Sequence, residues 1–408
     1  MCLFGLQNWE PIASKMANPL RRLLGVERVA QMETVLFDIQ DKINRWKYNM
    51  GLAEPKTPWD ASQNPTHSGN PAASLTEATA TPVRSYPSAT PLSSDATSLP
   101  AGQRTATAIA LSTKATPSAA PTPVGWILPD VEPFGTLEGE GVWQPYIYNS
   151  RGEVVAYRTI LQPDPERPYA LVAAVAFDLN QTDLHFKLGS KEPAYPGGAH
   201  GTGLVPPEDK QPGKLLAAFN GGFIAEHGYY GAMENGIIPL GAKNGLATLA
   251  IYPDGEVRIG EWGKDLLENE DYSAWRQNAI PIIQNGEINP KVYTGTWVDW
   301  GANYDFNAVT LRSSVGLSED NKVLYYFAGP SLLMPPLAEA MAAAGVHNGM
   351  LLDINPTHAH FTAVRAEDGK LVAEPLFPEE MNVWVDRYVR EWPYEQDFFY
   401  VTAKEKTQ

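Results

Sequence analysis

The stretch from Ala53 to Val124 constrains this chain most, because it cannot contribute to a core. Pro, Ser, Thr and Ala dominate it, charges are sparse, and no hydrophobic period survives. It cannot bury enough apolar surface to offset its chain entropy, and it reads as a disordered or extended linker. Folding is thereby confined to two parts of the 408 residues, a leading segment 1–52 and a long body 125–408. Linkers of this composition often hold an exported domain away from a surface.

In the leading segment, residues 18–50 predict a helix. Val29, Met32, Leu36, Ile39, Ile43 and Trp46 recur at spacings of three and four, which is an a/d stripe. Arg21, Arg22, Arg28, Lys42, Arg45 and Lys47 surround it, interleaved with Glu27, Glu33, Asp38 and Asp41. That mixed charge is unlike a purely basic membrane-surface helix. Two uses fit the stripe: packing on itself or on the body, or service as an oligomerising or juxtamembrane stem.

The body is rich in hairpin signals. Gly141 to Leu161 turns at Asn149–Gly152, and Thr248 to Trp262 turns at Pro253-Asp254-Gly255. Ala279 to Ile288 turns at Asn285-Gly286, and Val309 to Phe327 at Ser318–Asn321. His358 to Val364 and Lys370 to Leu376 flank Glu367-Asp368-Gly369. Ala170–Phe177, Lys214–Asn220 and Met350–Ile354 are continuous apolar runs suited to strands buried on both faces. One internal helix is convincing. It begins at Pro335-Pro336, shows Leu337, Ala340, Met341 and Ala344 on one face, and stops at Gly345. The fold class expected is α+β: a largely antiparallel sheet core with few helices, preceded by the N-terminal helix and the linker.

Charge and cysteine content narrow the function. A net charge of -16 disfavours nucleic-acid partners, which need a cationic face. The single cysteine, Cys2, permits neither an intrachain disulfide nor a Cys-based zinc site. No run is apolar and long enough to span a bilayer, and the first residues show no export signal. A cytoplasmic chain, or one whose signal or anchor precedes this start, would both fit; the linker favours an extracytoplasmic, tethered or secreted domain.

Two stretches carry the candidate site. In the first, a buried strand ends in Asn220-Gly221-Gly222-Phe223, with Glu226 and His227 in the same loop. The glycines permit close backbone approaches, and an asparagine there offers both an acceptor and donors. An Asx-type turn explains Asn220 equally well. In the second, Arg312 and Asp353 stand at the ends of strands, followed by Asn355, His358 and His360. Arg312 suits a bidentate phosphate contact, or a salt bridge at a strand end. Asp353 suits a base, nucleophile or cation stabiliser, or a loop cap. His358 and His360 would share one face if the strand starts there; a metal site would need Asp353, His200 or His227 to converge on them. Tyr195–Gly203 is glycine-rich but lacks the Gly-Lys-Ser/Thr of a phosphate loop. No cofactor and no metal are expected. Trp275, Trp297 and Trp300 suit either sugar stacking or the core.

These residues resemble the phosphodiester glycosidase (uncovering-enzyme-like) family. The resemblance rests on Asn220-Gly221-Gly222-Phe223, Arg312-Ser313-Ser314-Val315-Gly316, a helix ending Ala344-Gly345-Val346, and Leu351-Leu352-Asp353, and covers roughly residues 168–402. It is similar in particular to bacterial members with a stem helix, a Pro/Ser/Thr linker and usually an upstream membrane anchor. The resemblance implies hydrolysis of a sugar-1-phosphodiester at the anomeric carbon in a cell-surface or extracellular glycopolymer. Arg312 would bind phosphate, Asp353 would serve the chemistry with Glu226 as a second carboxylate, and Asn220, Gly221, Gly222, Asn355, His358 and His360 would bind substrate. One departure matters. The family pattern runs Asp-Gly-Gly-Gly-Ser, whereas Asp353 is followed by Ile354-Asn355-Pro356-Thr357, and Pro356 has no amide hydrogen to offer a phosphate. A non-catalytic carbohydrate-binding module and a metal-dependent hydrolase are the alternatives.

Overall fold

The structure, a computed structural model, describes residues 26–59, 126–300 and 308–405. Residues 18–25 of the expected helix and 60–124 of the expected linker lie outside these. Helix α1 spans Val26–Asn49. The chain then enters a mostly antiparallel β structure with few helices, as its turn signals predict.

β1 (Gln144–Tyr148) and β2 (Val154–Leu161) form the first hairpin, followed by β3 (Val172–Asp178) and β4 (Thr182–Lys187). β5 (Leu215–Asn220) leads through a 3-10 turn, Ala225–His227, to β6 (Ala232–Glu234) and β7 (Ile237–Leu240). β8 (Ala247–Ile251) and β9 (Val257–Glu261) form the next hairpin, and β10 (Ala274–Gln277) follows. β11 (Ile283–Gln284) and β12 (Glu287–Ile288) precede two short helices, α2 (Lys291–Thr294) and α3 (Trp297–Trp300). β13 (Thr310–Leu317), β14 (Val323–Leu332), α4 (Met334–Ala343) and β15 (Asn348–Leu351) come next. β16 (Phe361–Glu367), β17 (Lys370–Pro375) and β18 (Phe398–Ala403) complete the order.

These strands make three sheets, ordered β1-β2-β3-β14-β13-β15-β11-β12, β7-β6-β10-β8-β9 and β17-β16-β5-β18-β4. The first is covered on both faces, and the alternation of its side chains shows how. Ala173, Val175 and Phe177 of β3 join one core with Leu324, Tyr326 and Ala328 of β14. That core also holds Phe219, Phe361 and Phe399 of the third sheet and Leu249 and Ile259 of the second. Val172, Ala174 and Ala176 face the opposite core, with Met334, Leu337, Ala338 and Met341 of α4. The layers are therefore helix, central sheet, and the two smaller sheets side by side. Burying a phenylalanine such as Phe219 or Phe361 stabilises by about 1.5–3 kcal/mol.

Two boundaries differ from the sequence expectation, and both matter to the site. β15 ends at Leu351, not Ile354. Leu352 still donates to Ser313 O, but the amide of Asp353 turns away to Gly221 O, so Asp353 lies in a loop. β16 starts at Phe361, which leaves His358 and His360 before the strand rather than on one of its faces.

The C-terminal half of α1 docks on the body. Asp41, nearly buried, accepts from Arg167 Nε at 3.1 and 3.2 Å and from the Tyr169 hydroxyl at 2.5 Å. Tyr48 stacks on Tyr169 with ring centroids 4.8 Å apart. Further along, the Arg158 guanidinium sits between the rings of Trp59 and Tyr146, 4.3 and 4.2 Å from their centroids. Val35, Ile39 and Trp46 remain exposed. No helix among the described residues is long and apolar enough to cross a membrane.

Candidate functional site

The site is built where β5 and β15 end beside the start of β13, so Arg312 opens its strand rather than ending one. Asn220, at the end of β5, is buried and its side chain is fully engaged. Its Nδ2 donates to Ser313 Oγ and to Gly221 O, both at 3.0 Å. Its Oδ1 accepts from the Tyr326 hydroxyl and the amide of His360, also at 3.0 Å. Ser313 Oγ in turn donates to Asp353 O at 2.6 Å. One polar chain thus ties three segments that are remote in sequence, and Asn220 acts as the junction.

Gly221 and Gly222 have a specific neighbour that the sequence did not disclose. Arg276 on β10 is completely buried and pairs with Asp397, just before β18, through Nε to Oδ2 at 2.8 Å. Its remaining donors reach Tyr230 O at 3.2 Å, Gln277 O at 2.7 Å and Phe223 O at 2.6 Å. The amide of Gly222 donates to Asp397 Oδ2 at 3.1 Å. A β-carbon on Gly221 would overlap that same carboxylate oxygen, and one on Gly222 would come within 2.7 Å of Arg276 Cζ. The glycines are required by close approach of backbone to a buried ion pair. Burial pushes the Asp397 carboxyl up, Arg276 opposes the shift, and the charge of nearby Asp353 adds to it.

Asp353 is held on three sides. Its amide donates to Gly221 O at 3.0 Å, its carbonyl accepts from Ser313, and its Oδ1 accepts the amide of Asn355 at 2.9 Å. Its Oδ2 lies 3.3 Å from His358 Nδ1. The Asp353 side chain is 6% exposed and that of His358 is 22% exposed, so the imidazole is the more accessible member of the pair. The loop between them is bonded to itself. Asn355 Oδ1 accepts from Thr357 N at 2.9 Å and from its hydroxyl at 2.8 Å, and Asn355 O accepts from His358 N at 2.8 Å. Arg387 braces this turn by donating to Thr357 O at 2.8 Å and to the Tyr394 hydroxyl at 3.2 Å.

The other candidates are placed differently. Arg312 is 2% exposed, and its guanidinium donates to Leu332 O at 2.9 Å and Ala308 O at 2.8 Å, so it buttresses the strand rather than facing open space. Glu226 is exposed on the 3-10 turn, and His227 beside it is buried. The partly buried carboxylate at that turn is Glu192, whose Oε2 accepts the amide of Ala225 at 2.8 Å. Burial raises its pKa, the amides of Ala225 and Ala194 oppose the rise, and Asp397 adds to it. His360 is 1% exposed. Its Nε2 donates to Met381 O at 2.9 Å and its Nδ1 lies 3.1 Å from the Thr362 hydroxyl. Burial, aided by Arg387, holds its pKa well below the ordinary histidine value. His200 is exposed. Among the described residues, no three His, Cys, Asp or Glu side chains are grouped to hold a metal ion. Trp275 and Trp300 are buried in the core, whereas Tyr195 and Tyr229 are exposed and stacked, centroids 5.3 Å apart.

No family model matches the chain, and no curated protein matches it. Among solved structures it is similar to the zebrafish N-acetylglucosamine-1-phosphodiester alpha-N-acetylglucosaminidase catalytic domain, auto-inhibited by its pro-peptide. The TM-score is 0.39 at 16% identity, over 65% of this chain and 88% of that one. A hypothetical protein from Synechocystis aligns with a TM-score of 0.35 at 9% identity, over 64% of this chain and 62% of that one. A Burkholderia pseudomallei protein described as exported aligns with 0.31 at 10% identity, over 57% and 74%.

Proposed function

We propose that this chain hydrolyses sugar-1-phosphodiester bonds of cell-surface or extracellular glycopolymers, working outside the cytoplasm as a tethered or secreted domain. One observation carries the reading. Asn220, Ser313 and Asp353, drawn from the three separate motifs that resemble the phosphodiester glycosidases, meet in a single hydrogen-bonded cluster. That cluster holds a nearly buried aspartate against a more exposed histidine.

The chemistry asks little of a general acid, since a phosphomonoester leaving group is already a weak base. It requires an activated water and a negative charge near the oxocarbenium-like anomeric carbon. The Asp353–His358 pair supplies both kinds of group. The test is release of free sugar and phosphomonoester from a panel of sugar-1-phosphodiesters, with Asp353→Asn alongside. Release that disappears in the variant is the expected result. No release by the wild type across the panel would refute hydrolysis.

A second reading, a carbohydrate-binding module on the same scaffold, is favoured by one feature. Arg312, the expected phosphate ligand, is 2% exposed, and its Nε and Nη2 donate to backbone carbonyls. Saturable glycan binding without turnover would select it.

A further inference from the structure

We infer that His358 is the general base of this site and that Asp353 is its positioning residue; the inference rests on the hydrolase reading above. The loop after Asp353 is what points there. A glycine-rich loop would offer free amides to a phosphate. Here Asn355 takes up the amide and hydroxyl of Thr357, Pro356 has no amide hydrogen, and the amide of His358 closes onto Asn355 O. The loop has no such cradle. What its self-bonded turn achieves is to bring the side chain five residues on back against the aspartate, 3.3 Å from Oδ2.

Three observations assign the roles. Asp353 is nearly buried and its Oδ1 accepts the amide of Asn355, so it is the less accessible member of the pair to a substrate water. His358 is the more exposed member, and its Nδ1 lies 3.3 Å from the carboxylate; in the role assigned here Nδ1 carries the proton toward Asp353 and Nε2 receives the proton of the water. The histidine two residues on, His360, is locked by Met381 O and the Thr362 hydroxyl deep in the fold and has no access to substrate. The 3.3 Å separation exceeds a strong hydrogen bond, as is common for catalytic pairs before substrate binds.

The step balances without a cofactor. The oxygen of a water bonds to the anomeric carbon and its proton passes to His358 Nε2. The bond from that carbon to the phosphate oxygen breaks, and its electron pair leaves with the phosphomonoester. The imidazolium, stabilised by Asp353, returns the proton to solvent. A single displacement inverts the anomeric centre. The charged and titratable groups around the pair are Asp353 on its own loop, Arg387 bracing Thr357, Tyr394 bonded to Arg387, and the Arg276–Asp397 pair behind Asp353.

The experiment is the pH dependence of kcat/KM on a cleaved sugar-1-phosphodiester for wild type, His358→Gln, His358→Ala and Asp353→Asn. The stereochemistry of the first-formed sugar is read by NMR. The wild type should show an acidic limb. His358→Gln should lose about 100-fold or more and lack the limb. Added imidazole should restore activity to His358→Ala. Asp353→Asn removes the carboxylate that orients the imidazole, so kcat should fall at least about tenfold while KM stays within about twofold. A His358→Gln enzyme within about threefold of wild type with its limb intact, or a retained anomer, overturns the role of His358 alone. A wild type inert across the panel overturns the hydrolase reading and this role with it.

Discussion

Asp397 pairs with Arg276 2.8 Å away, and the same carboxylate oxygen fills the space a side chain at Gly221 would need. This relationship links the fold to the site. Arg276 comes from the second sheet and Asp397 from the residue before β18 in the third, and the pair packs against Gly221, whose carbonyl receives the amide of Asp353. Both charges are out of water, so each depends on the other.

The glycines should therefore be intolerant of even one added carbon. Gly221→Ala meets a carboxylate fixed by Arg276, and Gly222→Ala meets Arg276 itself. Each should cost at least about 1–3 kcal/mol by overpacking. Arg276→Met, which strands a buried carboxylate, should cost about 3–5 kcal/mol. Urea midpoints with unchanged m-values check this. Wild-type stability in Gly221→Ala would mean the ion pair is not where it is placed.

The frame was legible in the sequence for local reasons. Pro253-Asp254-Gly255, Asn285-Gly286 and Ser318–Asn321 each turn a hairpin where expected, with Gly255 and Asn321 at positive φ. Asn235-Gly236 carries the same signal for β6 and β7, but those strands are too short to show alternation in the sequence. The site was half legible. Asn220 ends a strand that an apolar run announces, and Asp353 lies two residues past the end of another. Arg276 and Asp397 had no local signal, because their meaning arises only when β10 and β18 are brought together across 121 residues. Arg312 could be recognised as buried, but nothing local says that its guanidinium turns to backbone carbonyls. The role of His358 depended on a loop closing back on itself, which the strand expected there had obscured.

Stability should fall with acid through the histidines. Burial holds His360 well below its ordinary pKa near 6.5, and burial also lowers His185. Both are neutral in the fold, so below about pH 6.5 the unfolded chain binds protons that the native state does not. Stability is complete above that pH and is lost as pH falls toward the native pKa values, by up to about 1.4 kcal/mol per pH unit for each group. Urea titrations between pH 8 and pH 5 give the slope, and His360→Gln should reduce it. An unchanged slope in that variant would show that His360 titrates alike in the native and unfolded chain.

Asp41 should fasten α1 to the body. It receives both Arg167 and Tyr169, and Tyr48 stacks beside it. Asp41→Ala leaves those donors short of an acceptor, a loss of about 1–3 kcal/mol. The loss should appear locally, as faster amide exchange in residues 38–49 with β3 and β14 unchanged. Exchange that rises equally throughout would assign Asp41 to global stability instead.

The loop that carries Gly221 and Gly222 should depend on Glu192 and not on Glu226. Glu192 reaches across from the segment after β4 and accepts the amide that opens the 3-10 turn, while Glu226 points into solvent from the same turn. Glu192→Ala strands the Ala225 amide and also removes a carboxylate whose burial raises its pKa. The first effect costs about 1–3 kcal/mol and the second returns part of it, because a desolvated charge is relieved. The net result should be a modest fall in melting temperature with marked loosening of residues 221–230, seen as protease cleavage there. Glu226→Ala should leave both readouts unchanged. Equal loosening by the two variants would mean that the turn is held by its own backbone, and that neither carboxylate orders the loop.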